Sequence, residues 1–209
     1  MDGRFLTAFV VPRKWPIGCF KLKPYNLRHM LYLTALDSPF VKKEVKPEYF
    51  DTLNVMAFLR ICSSRHPEEA FGSLSLSEWA FRIRMEVDIQ YFTSVVRACF
   101  NYMHECSQPP KTITKERNEV KNDKENIPFP LMMVTILTSK LHMDIDKAWE
   151  TSIGQAIWLL TAFAVQEGSD TRIVTTEDEA NAVGEREALI KMQEEALAKI
   201  KEEALRARK

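Results

Sequence analysis

Between residues 76 and 106 the apolar positions Leu76, Trp79, Ile83, Val87, Tyr91, Val95, Cys99, Tyr102 and Cys106 follow one another at steps of three or four, the spacing of one helix face. A second row, Phe81, Met85, Ile89, Phe92, Val96, Phe100 and Met103, runs along another side, and Glu86, Gln90, Thr93, Arg97, Asn101 and His104 form a polar stripe. Two apolar rows predict packing on two sides. The pattern therefore predicts one long central helix over 75–106, opened by the capping-box sequence Ser75 to Glu78.

The rest of the chain is punctuated around that helix. Pro12, Pro16, Gly18 and Pro24 restrict residues 1–25 to extended pieces, with a hairpin of Phe5–Val11 against Cys19–Lys23 as one option. From Asn26, a capping residue, the spacing of Leu27, Leu31 and Thr34 predicts a short helix that Pro39 stops, with Arg28 and His29 one turn in and His29 on its polar face. Leu53, Met56 and Arg60 continue a helix over 48–63, introduced by Pro47.

Residues 107–127 follow a Pro-Pro pair, contain no aromatic residue and alternate charged and amide side chains, which predicts a solvated loop. A compact helical unit spans 128–168. Asp144 and Ser152 are placed to cap its second and third helices, Gly168 to end it, and Ile157, Leu160, Thr161 and Ala164 to face Val134, Leu137 and Leu141, with Trp149 and Trp158 as core anchors. Residues 176–209 read as a protruding charged helix, opened by Thr176 to Glu179, with Glu187/Lys191, Glu195/Lys199 and Glu202/Arg206 four apart and Val183, Ile190, Leu197 and Ala204 seven apart. The fold class is mainly α: a helical bundle around residues 26–106, a short extended or hairpin N-terminal segment, and a charged C-terminal helix.

Charge changes the picture locally. Lys+Arg and Asp+Glu are 29 each in 209 residues, which excludes the global basic footprint of a dedicated nucleic-acid binder. Residues 3–36 nevertheless carry Arg4, Arg13, Lys14, Lys21, Lys23 and Arg28 and no acid, interleaved with Trp15, Phe20, Tyr25 and Tyr32. Such a strip can neutralise phosphates and stack on bases, or anchor the segment by its aromatics. The first residues lack the form of a secretory signal, and the longest apolar run, 156–165, is half of a membrane span, so a soluble protein is expected.

The sequence carries no recognisable active-site motif. Four histidines stand outside any catalytic motif, six glycines leave no phosphate-cradling loop, and Cys19, Cys62, Cys99 and Cys106 sit in apolar surroundings as small buried side chains. A metal site from Cys62, His66, Cys99, His104 and Cys106 is the sharper option, but none forms a C-x-x-C pair. No enzyme, metal or cofactor is expected.

The stretch CFKLKPYNLRHMLYLTALDSPF (residues 19–40) resembles the opening of small prophage-encoded proteins from tail-gene clusters. The stretch LTSKLHMDIDKAWETSIGQAIWLLTAF (137–163) is similar to the short-helix, Trp, long-helix pattern of phage tail assembly chaperones. The resemblance implies a non-enzymatic assembly chaperone or virion component that binds phage structural proteins of tape-measure or tail-tube type, in the host cytoplasm or the virion, with homo-oligomerisation an option and no membrane. Candidate partner contacts are Arg13, Lys14, Lys21, Lys23 and Arg28 at one end and Ile190, Leu197 and Ile200 at the other. The alternative is a nucleic-acid-associated helical module using the basic strip.

Overall fold

Gly18 and Cys19 turn the chain between two short antiparallel strands, β1 (Trp15–Ile17) and β2 (Phe20–Leu22), in the register Trp15 to Leu22 and Ile17 to Phe20. A two-residue hairpin loop needs a positive φ that suits glycine, and Gly18 has φ 57°. The computed structural model describes residues 5, 8–9, 15–42, 44, 49–63, 70–114, 127–174, 178, 181–184, 186 and 190–192. The hairpin lies later in the chain than the option Phe5–Val11 with Cys19–Lys23. Phe5, Ala8 and Phe9 are helical, because rings four apart share one helix face. Those of Phe5 and Phe9 stack at 4.8 Å, and Phe5 meets Trp158 edge-on at 5.6 Å.

Seven bounded α-helices follow among the described residues, α1 (Leu27–Ala35), α2 (Thr52–Ser63), α3 (Leu76–Val87), α4 (Ile89–Cys106), α5 (Phe129–Lys140), α6 (Ile145–Glu150) and α7 (Ile153–Gln166), with a 3-10 turn at Pro39–Val41 and helical residues at 178, 181–184, 186 and 190–192. The chain is mainly helical with a short N-terminal hairpin. Residues 23–26 lie between the ends of α2 and α7: Lys23 N donates to Cys62 O at 2.9 Å, Leu27 N to Thr151 O at 3.2 Å and Ile153 N to Tyr25 O at 3.1 Å. The core forms around this crossing. Tyr25, Leu27, Leu33, Phe58, Leu59, Tyr102 and Leu137 are all fully buried, and Tyr102 Oη donates to Lys23 O at 2.6 Å.

Capping follows the sequence closely. Asn26, Ser75 and Ser152 each form a reciprocal capping box with the residue three positions on. Asp144 accepts from Asp146 N and Lys147 N, and Gly168 has φ 82°. The helix expected over 48–63 starts only at Thr52, where Asp51 accepts from Asn54 N at 2.7 Å. The expected third box at Thr176 lies outside the described residues.

Three expectations are corrected. The single helix over 75–106 is two helices, because Asp88 leaves helical geometry (φ −113°, ψ 100°) and its carboxylate accepts from Gln90 N and Tyr91 N, both at 3.0 Å. A short acceptor side chain competes with the helix for its own amides. His29 is buried rather than polar-facing: its Nδ1 accepts from Asn26 N at 3.5 Å and its ring stacks on Tyr25. The stretch 107–127 is not loop throughout, since β3 (Thr112–Thr114) pairs antiparallel with β4 (Thr171–Ile173), β-branched residues favouring the extended backbone. On α7, Ile157 and Leu160 are half-buried and pack against the core, as expected, Thr161 and Ala164 are half-buried, and Ile153, Gly154, Ala156 and Trp158 are buried. Gly154 makes this possible, because it lets α7 approach the last carbonyl of α4.

Candidate functional site

The N-terminus of α3 is fixed before its faces are assigned. Ser75 Oγ accepts from Glu78 N at 3.3 Å, and Glu78 Oε2 accepts from Ser75 N at 2.7 Å. The same carboxylate pairs with Arg60 on α2 at 3.3 Å. Arg60 also donates to the carbonyls of Gly72 at 2.7 Å and Ser73 at 3.1 Å, tying the entry of α3 to α2. Both side chains of the pair are mostly shielded, and an ion pair with extra hydrogen bonds to one partner fixes orientation better than an exposed one.

With the helix so placed, one apolar row goes inward. Phe81 and Met85 are buried. Phe81 packs edge-on against Phe20 of the hairpin at 5.7 Å and against Tyr91 of α4 at 5.8 Å. The other row remains on the surface: Leu76 is 89% exposed, Trp79 56%, Ile83 36% and Val87 82%. At about 100° per residue these four fall within about 80° of one another, so they form one continuous apolar stripe along the whole helix. The expectation that both rows would be packed is corrected here. The hairpin and α2 cover one side of α3, and no described element covers the other.

Each edge of the stripe carries one base and one acid, four residues apart. On one side Arg82 Nε donates to Glu86 Oε1 at 2.8 Å, and Thr52 Oγ1 reaches the same carboxylate at 3.3 Å. Arg82 holds the Glu86 carboxyl below its ordinary range. On the other side Arg84 stacks over the Tyr91 ring at 4.0 Å, next to Asp88. A groove of about 280 Å³ opens between α2 and α3, lined among others by Leu53, Met56, Phe71, Leu74 and Arg82, with Leu53 58% and Phe71 60% exposed. Scattered apolar residues are ordinary on a surface, but a contiguous stripe beside an apolar groove marks an interaction site.

The residues singled out from the sequence lie elsewhere. Lys21 and Lys23 are exposed on the same side of β2 and its continuation. Arg28 pairs with Asp146 of α6 at 3.2 Å, with its side chain 17% exposed. Arg13, Lys14, Leu197 and Ile200 lie outside the described residues, and Ile190 is helical and 45% exposed.

Of the cysteines, Cys62, Cys99 and Cys106 are buried, whereas Cys19 is exposed in the hairpin turn, contrary to expectation. Burial pushes the Cys62 and Cys99 thiols and the Tyr25 and Tyr102 phenols well up, so none is a ready nucleophile. Among the described residues no group of three or more His, Cys, Asp or Glu is gathered as a metal centre, and no helix is long and apolar enough to cross a membrane.

Sequence reasoning named every residue of the stripe but assigned it to the core. The signal it missed was Asp88, a capping residue inside the apolar run. Comparisons with protein-family profiles, curated proteins and solved structures returned no match.

Proposed function

We propose that this chain is a non-enzymatic interaction protein that docks another polypeptide on the outer face of α3. One observation carries the reading: Leu76, Trp79, Ile83 and Val87 form a stripe at helical spacing on a helix whose opposite face is already committed to the core. Leaving four large apolar side chains in water is unfavourable by about 25 cal/mol per Å² of apolar surface, and a partner that covers them recovers that free energy. The geometry suits an apolar helix laid alongside α3, the helix-in-groove mode of recognition.

The resemblance noted above supplies the finer proposal, that the partner is a phage structural polypeptide of tape-measure or tail-tube type and the role is assembly. Against the nucleic-acid alternative stands the pairing of Arg28 with Asp146, which takes a central base of the strip out of service. The test is co-expression with the genes encoded beside it, followed by affinity purification at low and high salt, with the wild type and Ile83→Asp compared. Retention of a defined polypeptide at high salt that Ile83→Asp abolishes is the expected result. Retention unchanged by the substitution removes the α3 face from the mechanism, and recovery of nucleic acid alone, lost as salt rises, favours the basic strip.

A further inference from the structure

We infer that the occupant of the α3 face is a second copy of this chain, with two α3 helices packed antiparallel about a two-fold axis between Ile83 and Val87. This rests on the docking reading above and takes the place of its finer proposal, since one face cannot hold both a second copy and a phage structural polypeptide.

The edges of the stripe select this arrangement. A two-fold axis perpendicular to the helices brings each edge of one helix against the same edge of its mate, in reverse order. Arg82 then faces the Glu86 position of the other copy on one side, and Arg84 faces the Asp88 position on the other. Both edges are self-complementary, because each holds one base followed four residues later by one acid.

Parallel pairing does the opposite. It sets one edge against the other in the same order, so Arg82 meets Arg84 and Glu86 meets Asp88. Each of these like-charge contacts occurs twice by symmetry, four per interface, and they disfavour it.

Under the antiparallel axis Ile83 of one copy lies opposite Val87 of the other, while Trp79 and Leu76 extend past the end of the mate's α3 and flank this central contact. Equal numbers of acids and bases in the chain, 29 each, leave no net charge to oppose self-association. The mixed signs beside the stripe also argue against an anionic membrane surface, which selects a basic polar face. Ile83 and Val87, with Trp79 and Leu76 flanking them, supply only part of the roughly 800 Å² per partner of a standard interface, so a weak dimer with dissociation in the micromolar range is expected.

The experiment is sedimentation velocity on the full chain from about 1 to about 200 μM, a span that brackets micromolar dissociation. Wild type is expected to pass from monomer to dimer. Arg82→Glu and Glu86→Arg, each alone, weaken the dimer about tenfold, and a 1:1 mixture of the two variants restores it. Restoration on mixing requires contact between chains, since a change within one helix cannot be repaired by a second molecule. Ile83→Asp abolishes the dimer, with the thermal melt read alongside to show that the fold is retained.

A wild type monomeric throughout overturns self-pairing, as does a dimer that Arg82→Glu strengthens, the signature of parallel packing, or a dimer indifferent to Ile83→Asp. If the chain is monomeric but Ile83→Asp still abolishes retention of a defined polypeptide, self-pairing fails and the docking reading stands. A blue shift of tryptophan emission on mixed phosphatidylcholine and phosphatidylserine vesicles that Trp79→Phe removes, in a monomeric chain, replaces both with membrane contact.

Discussion

Gly18 sits directly against the ring of Phe81, so close that a methyl group on Gly18 would overlap it. This contact seats α3 on the N-terminal hairpin and decides which of its two apolar rows is buried. A side chain at Gly18 meets both a positive φ of 57° and the ring. Gly18→Ala is expected to destabilise the protein by about 2 kcal/mol, read as a lower urea midpoint. An unchanged midpoint would mean that the hairpin does not seat α3.

The outer row should behave in the opposite way. Trp79→Ala and Ile83→Ser are expected to shift stability by no more than about 0.5 kcal/mol, although truncation of a core aromatic such as Phe81 costs about 3–5 kcal/mol. Chemical denaturation of the three variants separates a docking face from a core face. Equal losses would show that the stripe is packed.

Gly154 tests how closely α7 approaches α4. An added Cβ there would lie 2.7 Å from the carbonyl oxygen of Cys106, too close for van der Waals contact. Ala is the better helix former by about 1 kcal/mol, yet Gly154→Ala is expected to destabilise by about 1–3 kcal/mol. A stabilising outcome in thermal melting would place the two helices further apart.

The buried thiols and phenols give a signed pH dependence. Cys62, Tyr25 and Tyr102 have their proton-binding strength raised by burial, so above the ordinary thiol value of 9.0 the unfolded chain releases protons that the folded chain keeps. Stability is then full below that pH and falls as pH rises past it. Urea midpoints measured between about pH 7 and about pH 10.5 should decline at the alkaline end, over the range in which unfolded thiols and phenols titrate. A flat profile would contradict the burial.

Thiol accessibility provides a separate check. Cys19 is exposed and Cys62, Cys99 and Cys106 are buried, so iodoacetamide is expected to label one cysteine in the folded protein and four in urea, and Cys19→Ser to remove the native label. Rapid labelling of all four without denaturant would show that the core opens.

Local features were legible in the sequence because their causes are local. Asn26, Ser75, Asp144 and Ser152 cap helices through amides two or three residues away, and Gly168 takes the left-handed backbone that ends α7. The mainly helical class followed from periodicity in the same way. Those interactions need no partner distant in sequence.

What only the tertiary structure decided is which of two equivalent choices each element took. Periodicity marked both apolar rows of α3, but it was the hairpin, more than fifty residues earlier, that buried Phe81 and left Trp79 and Ile83 outside. Thr112–Thr114 became a strand only because Thr171–Ile173 lay alongside to pair with it. A hydrophobic pattern records which side chains gain by leaving water, whereas burial depends on which surfaces the folded chain brings within reach.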